Sequence, residues 1–311
     1  MSNDYTNMTP EAMKVKASDL ISSVTKIEVP QDVQDLIQAE CDKAFAKSDG
    51  CPMGTDIVFM PDLSSSMNPN GKRGWAWHTQ ESFIRGVVPK AMGYDDGGVD
   101  IWPIRSATEL EKSADPTKER LLEVTDPEKA LEYVRSFEKK LTTTPTRNLF
   151  AARMADVVKN AISDPYNTKR TLFLISTDGQ PDPEGPSMES TTEDAIIALH
   201  NKGLDPRRYI AISYIIITSD FHTMCGYLKL EDRNTWGPDG KIECDVANAI
   251  FPALIMSLGG FESPLAIHIA LGGAIRPEID SALENIVSGP AKDLMMLMQA
   301  SIDAGYHTET L

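Results

Sequence analysis

An aspartate and two serines stand at every second position in Asp62-Leu63-Ser64-Ser65-Ser66, directly behind the apolar run Asp56-Ile57-Val58-Phe59-Met60-Pro61. The run reads as a buried strand, so these oxygen-bearing side chains fall on the turn that leaves it. Thr144-Pro145-Thr146 opens a helical pattern, and Asp178 ends a second apolar run, Leu172 to Thr177. Two strand ends and a helix start would gather Asp62, Ser64, Ser66, Thr144 and Asp178 around one point. Such a set of hard oxygen donors suits Mg²⁺ better than any softer metal. At the threonine position Thr144 has the better spacing, with Thr146 as the alternative.

The segments around these residues alternate between strand and helix. Gln31 to Lys47 has helical spacing, with Val33, Leu36, Ile37 and Ala44 on one side and Pro30 at its start. A helix from about Thr79 to Met92 and a short strand over Val99–Ile104 follow the Asn/Gly-rich loop Asn68–Gly74. Asp126-Pro127-Glu128 is a helix start, and Arg147 to Ile162 is helical in period. Thr171–Ser176 and Tyr209–Ile217 are apolar throughout, as in strands covered on both faces. Between them, Glu193–Asn201 is helical and is ended by Gly203. This alternation predicts an α/β fold with a doubly wound, mainly parallel, Rossmann-like sheet. Ligands of such sheets bind at the carboxyl ends of the strands, where Asp62 and Asp178 both fall.

Three regions are expected. They are a helical N-terminal arm over 1–50 docked on the body, an α/β domain over 51–245, and a mostly helical extension over 246–311. In the last, Gly259-Gly260 and Gly272-Gly273 interrupt the pattern, and Pro290 precedes a segment with Leu294, Met295, Leu297 and Met298 that reads as core packing.

Composition narrows the partners. The chain of 311 residues is 41% hydrophobic and carries a formal net charge of −16. An acidic protein repels nucleic acid and anionic membranes, so neither is expected as a partner. Four scattered cysteines (Cys41, Cys51, Cys225 and Cys244) form no Cys-x-x-Cys pair and support neither zinc ligation nor a disulfide framework. No signal peptide and no apolar stretch of membrane-spanning length is visible, which leads to the expectation of a cytoplasmic protein.

The motifs resemble those of the von Willebrand factor A (vWA) family. Phe59-Met60-Pro61-Asp62-Leu63-Ser64-Ser65-Ser66-Met67 is similar to that family's Asp-x-Ser-x-Ser opening. Thr144-Pro145-Thr146-Arg147-Asn148-Leu149-Phe150 is similar to its Thr-Pro-Thr segment, and Leu174-Ile175-Ser176-Thr177-Asp178-Gly179-Gln180-Pro181-Asp182 to its Thr-Asp-Gly-x-Pro stretch. The three occur in family order over roughly residues 51–245. The resemblance implies a vWA fold with a metal-ion-dependent adhesion site. Ser64 and Ser66 would bind Mg²⁺ through their hydroxyls, with Mn²⁺ or Ca²⁺ as substitutes. Thr144 would bind directly or through water, and Asp62 and Asp178 would bind or orient coordinated water. An open coordination position would then accept an acidic residue from a partner protein. Ser65, where the family often has Gly, and Pro61, in place of an apolar strand residue, depart from the pattern. Pro61 suggests that the strand has already left its ladder.

Other chemistries find less support. The second carboxylate that a haloacid-dehalogenase-like phosphatase needs two residues after its Asp is Ser64 here. No nucleophile elbow, phosphate loop or dinucleotide fingerprint occurs, and His78, His200, His222, His268 and His307 lack metal or triad spacing. The expectation is a binding protein, not an enzyme. It would recognise a protein partner through Mg²⁺; the alternatives are a subunit of an ATPase-driven, chelatase-like complex and a structural component of a larger particle.

Overall fold

Alternation along the strands assigns every core side chain to one of two layers. In β1 (Thr55–Pro61), Ile57 and Phe59 enter one layer while Val58 and Met60 enter the other. β6 (Arg170–Thr177) divides in the same way, with Leu172 and Leu174 against Phe173 and Ile175. Both strands are buried on both faces, which explains their unbroken apolar runs.

The computed structural model describes residues 5, 7–47, 53–71, 74–106, 120–137, 146–147, 149–179, 187–231, 235–237, 240–242, 244 and 246–306. Thr144, Cys51, His307, Lys72-Arg73 and Gln180-Pro181-Asp182 lie outside them. In chain order the helices are α1 (Pro10–Ser23), α2 (Gln31–Phe45), α3 (Gly74–Ala91), α4 (Pro127–Arg135), α5 (Leu149–Ser163) and α6 (Met188–His200). They continue with α7 (Phe221–Glu231), α8 (Pro252–Ser257), α9 (Pro264–Gly272), α10 (Pro277–Ile286) and α11 (Gly289–Asp303). The remaining strands are β2 (Val99–Ile101), β3 (Arg105–Ser106), β4 (Leu121–Val124), β5 (Thr146–Arg147), β7 (Ile210–Ile216), β8 (Thr235–Gly237), β9 (Gly240–Ile242) and β10 (Ala247–Ile250).

Six strands form one sheet in the order β10-β7-β6-β1-β2-β4, all parallel except β4 at its edge. Numbered along the sheet's own strands this is the order 3-2-1-4-5-6, which reverses between β1 and β6. Their register runs from Thr55 opposite Arg170 to Pro61 opposite Ser176. Helices α2, α3, α4, α9 and α10 cover one face, and α1, α5, α6, α7 and most of α11 the other. The protein is therefore an α/β fold with a mainly parallel, Rossmann-like sheet.

Both helices of the first fifty residues belong to these layers. α1 packs on α11, and α2 packs on α9 and α10. Ile37, Cys41, Ala44 and Phe45 are buried, but Leu36, expected in the apolar stripe, is 45% exposed. Glu40 fixes α2 further, accepting from Arg276 at 2.7 Å and Lys43 at 2.6 Å.

Several expectations need correction. The mostly helical extension over 246–311 opens on a strand, because Ala247–Ile250 is the sixth strand of the sheet and Pro252 starts α8 only after it. β4 was not foreseen, and its antiparallel pairing with β2 makes that edge of the sheet mixed. The strand expected over Val99–Ile104 ends at Ile101. Arg147 belongs to β5, not to the following helix. Pro61 has not left the ladder: it pairs with Ser176, and its carbonyl accepts from Ile104 N at 2.9 Å. The N–H of Asp62 points to β6, so the nitrogen of Pro61 faces the segment that follows β2, between the bonds Trp102 N to Phe59 O and Ile104 N to Pro61 O. Proline costs one donor at that position, and the backbone bonds on either side of it are kept.

Candidate metal centre

The turn after β1 is held from both sides. Asp62 N donates to Ser176 O at 2.9 Å, and Leu63 N donates to Ile104 O at 3.1 Å. Leu63 and Met67 then drop into the core, at 4% and 0% exposure. A short 3₁₀ turn over Ser65–Met67 lies between them, and Met67 N closes it onto Ser64 O at 3.1 Å. Between them the Ser64 and Ser66 hydroxyls face each other and the end of β6.

Within this turn Asp62 bends its carboxylate back onto the chain. Ser64 N donates to Asp62 Oδ1 at 2.8 Å, a local turn typical of aspartate. Thr177 Oγ1, at the end of β6, donates to Asp62 Oδ2 at 2.8 Å. Ser64 Oγ lies 2.7 Å from Ser66 Oγ, and Ser66 Oγ donates to Asp178 Oδ1 at 2.7 Å. Asp62, Ser64, Ser66 and Asp178 thus share one constellation spanning adjacent strand ends at the point where strand order reverses. Asp62 and Asp178 are buried, Ser64 is half-buried and Ser66 is exposed. The opening therefore lies on the serine side.

Two buried carboxylates in one site repel each other's charge. Burial first, and then the neighbouring Asp178, raise the Asp62 carboxyl from its ordinary 3.8 to about 6. The hydrogen bonds from Ser64 and Thr177 pull in the opposite direction without cancelling this. A divalent cation between the two acids would remove the repulsion.

The donor set fits Mg²⁺. Mg²⁺–oxygen distances of about 2.0–2.1 Å place neighbouring octahedral ligands about 2.9 Å apart. The Ser64–Ser66 and Ser66–Asp178 oxygen pairs, at 2.7 Å each, need to open by only a few tenths of an ångström. Ca²⁺, with bonds of about 2.3–2.6 Å, would need a wider ring. Among the described residues no three His, Cys, Asp or Glu side chains form a metal-holding group. The candidate depends on hydroxyls joined to two carboxylates. Thr144 lies outside the described residues. Thr146 is placed in β5, opposite Ser106.

Gln80 was missed. It is fully buried on α3, where its Oε1 accepts from Asp62 N at 3.1 Å and from Ser176 Oγ at 2.6 Å. Its Nε2 donates to Asp62 O at 3.3 Å, so one amide clamps both strand ends. A signal existed: Gln80 shares the helical stripe of Ala76, Trp77, Phe83, Ile84 and Val87. A lone amide in such a stripe requires a buried polar partner.

His78, two residues before Gln80 on α3, is exposed, and its Nδ1 lies 3.5 Å from Glu81 Oε2. Neither serine hydroxyl has a histidine or lysine partner among the described residues, so the geometry activates no nucleophile. No helix among the described residues is long and apolar enough to cross a membrane. In comparisons with known proteins, the sequence matches no family model and no curated protein.

Proposed function

We propose that this chain is a vWA-like protein that recognises a protein partner through a Mg²⁺ ion bridging to an acidic residue of that partner. One observation carries the reading. Ser64 Oγ, Ser66 Oγ and Asp178 Oδ1 form a continuous row of oxygens at 2.7 Å spacing across two neighbouring strand ends. The reversal of strand order at that point, together with the Thr-Pro-Thr and Thr-Asp-Gly motifs in order along the chain, supports it further.

Ser64 and Ser66 would hold the ion through their hydroxyls, with Asp178 and Asp62 as its nearby negative charges and Thr144 as a further donor. Bound there, Mg²⁺ would supply a Lewis-acidic position open to a carboxylate. The chain's own residues do the rest. Gln80 fixes the distance between the strand ends, and Thr177 and Ser64 N orient the Asp62 carboxylate. The exposed Ser66 side leaves the site accessible to a partner.

The test is affinity capture from the source organism's extract in Mg²⁺ and in EDTA, using the wild type and the Ser64→Ala/Ser66→Ala variant. A partner retained only by wild type in Mg²⁺ is the expected result. A partner retained equally in EDTA would assign recognition to another surface.

A further inference from the structure

Beyond the carboxyl end of β2, three donor-only side chains meet: Trp102, Arg120 and Arg153. Trp102 is 3% exposed, and its indole N–H has no acceptor among the described residues. The guanidinium carbon of Arg153, on α5, lies 5.4 Å from the centre of the Trp102 ring. Arg153 Nε is also buried without an acceptor among the described residues. Arg120, just before β4, places a second guanidinium 5.0 Å from the same ring. Arginine stacked on tryptophan is favourable in itself, but stacking leaves the in-plane N–H donors unused. Buried donors ordinarily find acceptors, so two orphans in one cluster call for an explanation.

Local charge sharpens the question. Asp100 feels both guanidiniums, and its Oδ1 accepts from Glu123 N at 3.1 Å. It forms no ion pair with Arg120 or Arg153 among the described residues.

We propose that Trp102, Arg120 and Arg153 form a binding site for an oxyanion, either a phosphoryl or a carboxylate group. Its oxygens accept from the Trp102 and Arg153 N–H groups, while the exposed Arg120 arm moves aside to admit it and then closes over it. A planar guanidinium fork matches either group in two-point contact. The site is separate from the candidate metal centre and does not require the cation.

The experiment is calorimetric titration of the full chain in EDTA at constant ionic strength, once with inorganic phosphate and once with glutarate. One saturable site is expected, weakened about tenfold or more by Arg153→Gln and by Arg120→Gln. Trp102→Phe, which keeps a ring but removes the N–H, weakens it by a smaller factor. Uptake of phosphate alone identifies a phosphoryl ligand, and uptake of glutarate a carboxylate. Saturable binding of neither, or wild-type binding by Arg120→Gln, overturns the proposal. Because Arg120 is exposed, that variant decides the matter even if Arg153→Gln does not fold. Ser66→Ala should leave phosphate or glutarate binding intact, which separates this site from the metal reading.

Discussion

The Ser66 hydroxyl donates to the Asp178 carboxylate at 2.7 Å, closing a contact between residues 112 apart in sequence. The contact joins the turn after β1 to the end of β6. It also places a second buried acid beside Asp62. Two consequences with opposite signs follow, according to whether a cation is present.

Asp178→Asn keeps the shape of the side chain and removes one of the two charges. In EDTA the variant should be as stable as the wild type or more stable, because Asp62 no longer faces a buried neighbour of like charge. With Mg²⁺ at a hundredfold excess over its dissociation constant, wild type should gain about 2.7 kcal/mol, and the variant should gain almost none. Thermal unfolding with and without Mg²⁺ measures both effects. An equal Mg²⁺-induced rise in Tm for the two proteins would remove the metal assignment.

The raised Asp62 carboxyl gives the site a pH dependence whose sign is fixed. Without metal, the folded chain holds a proton at Asp62 up to about pH 6, while the unfolded chain releases it near 3.8. This group's contribution to stability is therefore present at acid pH and is lost as pH rises from about 4 through 6. Cation binding needs the ionised form, so Mg²⁺ affinity should fall below about pH 6 and level off above it. Calorimetry in buffers of different ionisation enthalpy should show proton release on binding below pH 6. Affinity constant from pH 5 to 8 would contradict the placement of Asp62 beside the ion.

Much of this arrangement was legible in the sequence because it resides in strands and their ends. Ile57–Pro61 and Leu172–Thr177 are buried on both faces, so the composition of each run revealed the element and its end together. β10 was hidden for the opposite reason. Ala247-Asn248-Ala249-Ile250 has few β-branched residues and flows into α8, so the apolar run from Val246 to Leu258 has no single period. Gln80 was hidden because a clamp between two strand ends is a tertiary relationship. Its helix showed only that one polar residue lay in an apolar stripe. The layering of α1 and α2 against helices from the other end of the chain is likewise long-range, and local pattern cannot carry it.

His268 gives a second titration, remote from the site and independent of metal. It lies on α9, 6% exposed, with Nε2 buried and without an acceptor among the described residues. Burial first, and then the positive charge of Lys90, lower it from 6.5 to about 4, while Asp42 acts weakly the other way. Between those values the unfolded chain takes up a proton that the folded chain refuses. Stability from this group is complete above about pH 6.5 and falls as pH drops towards 4, on the order of 2–3 kcal/mol in all. His268→Leu should flatten that part of the profile, which urea unfolding at several pH values would show. A variant whose stability tracks the wild type in parallel over this window would exclude His268 as its source.

The contact of Gly273 with Asn248 tests the unforeseen strand directly. A Cβ added at Gly273, just after α9, would come within 1.9 Å of Asn248 Nδ2 on β10 and 2.8 Å of Ile269 O. Asn248 is 2% exposed, and its amide nitrogen has no acceptor among the described residues, so it has little room to retreat. Gly273→Ala should therefore destabilise by about 1–3 kcal/mol through overpacking, even though alanine favours helical backbone. Asn248→Ala loses no satisfied hydrogen bond from that nitrogen and opens space at the same point. Combined, the two changes should cost less than the sum of the single variants, with a coupling of roughly 1 kcal/mol in chemical unfolding. Strict additivity would mean that the end of α9 does not lie over β10, and the sixth strand would then need a different place in the sheet.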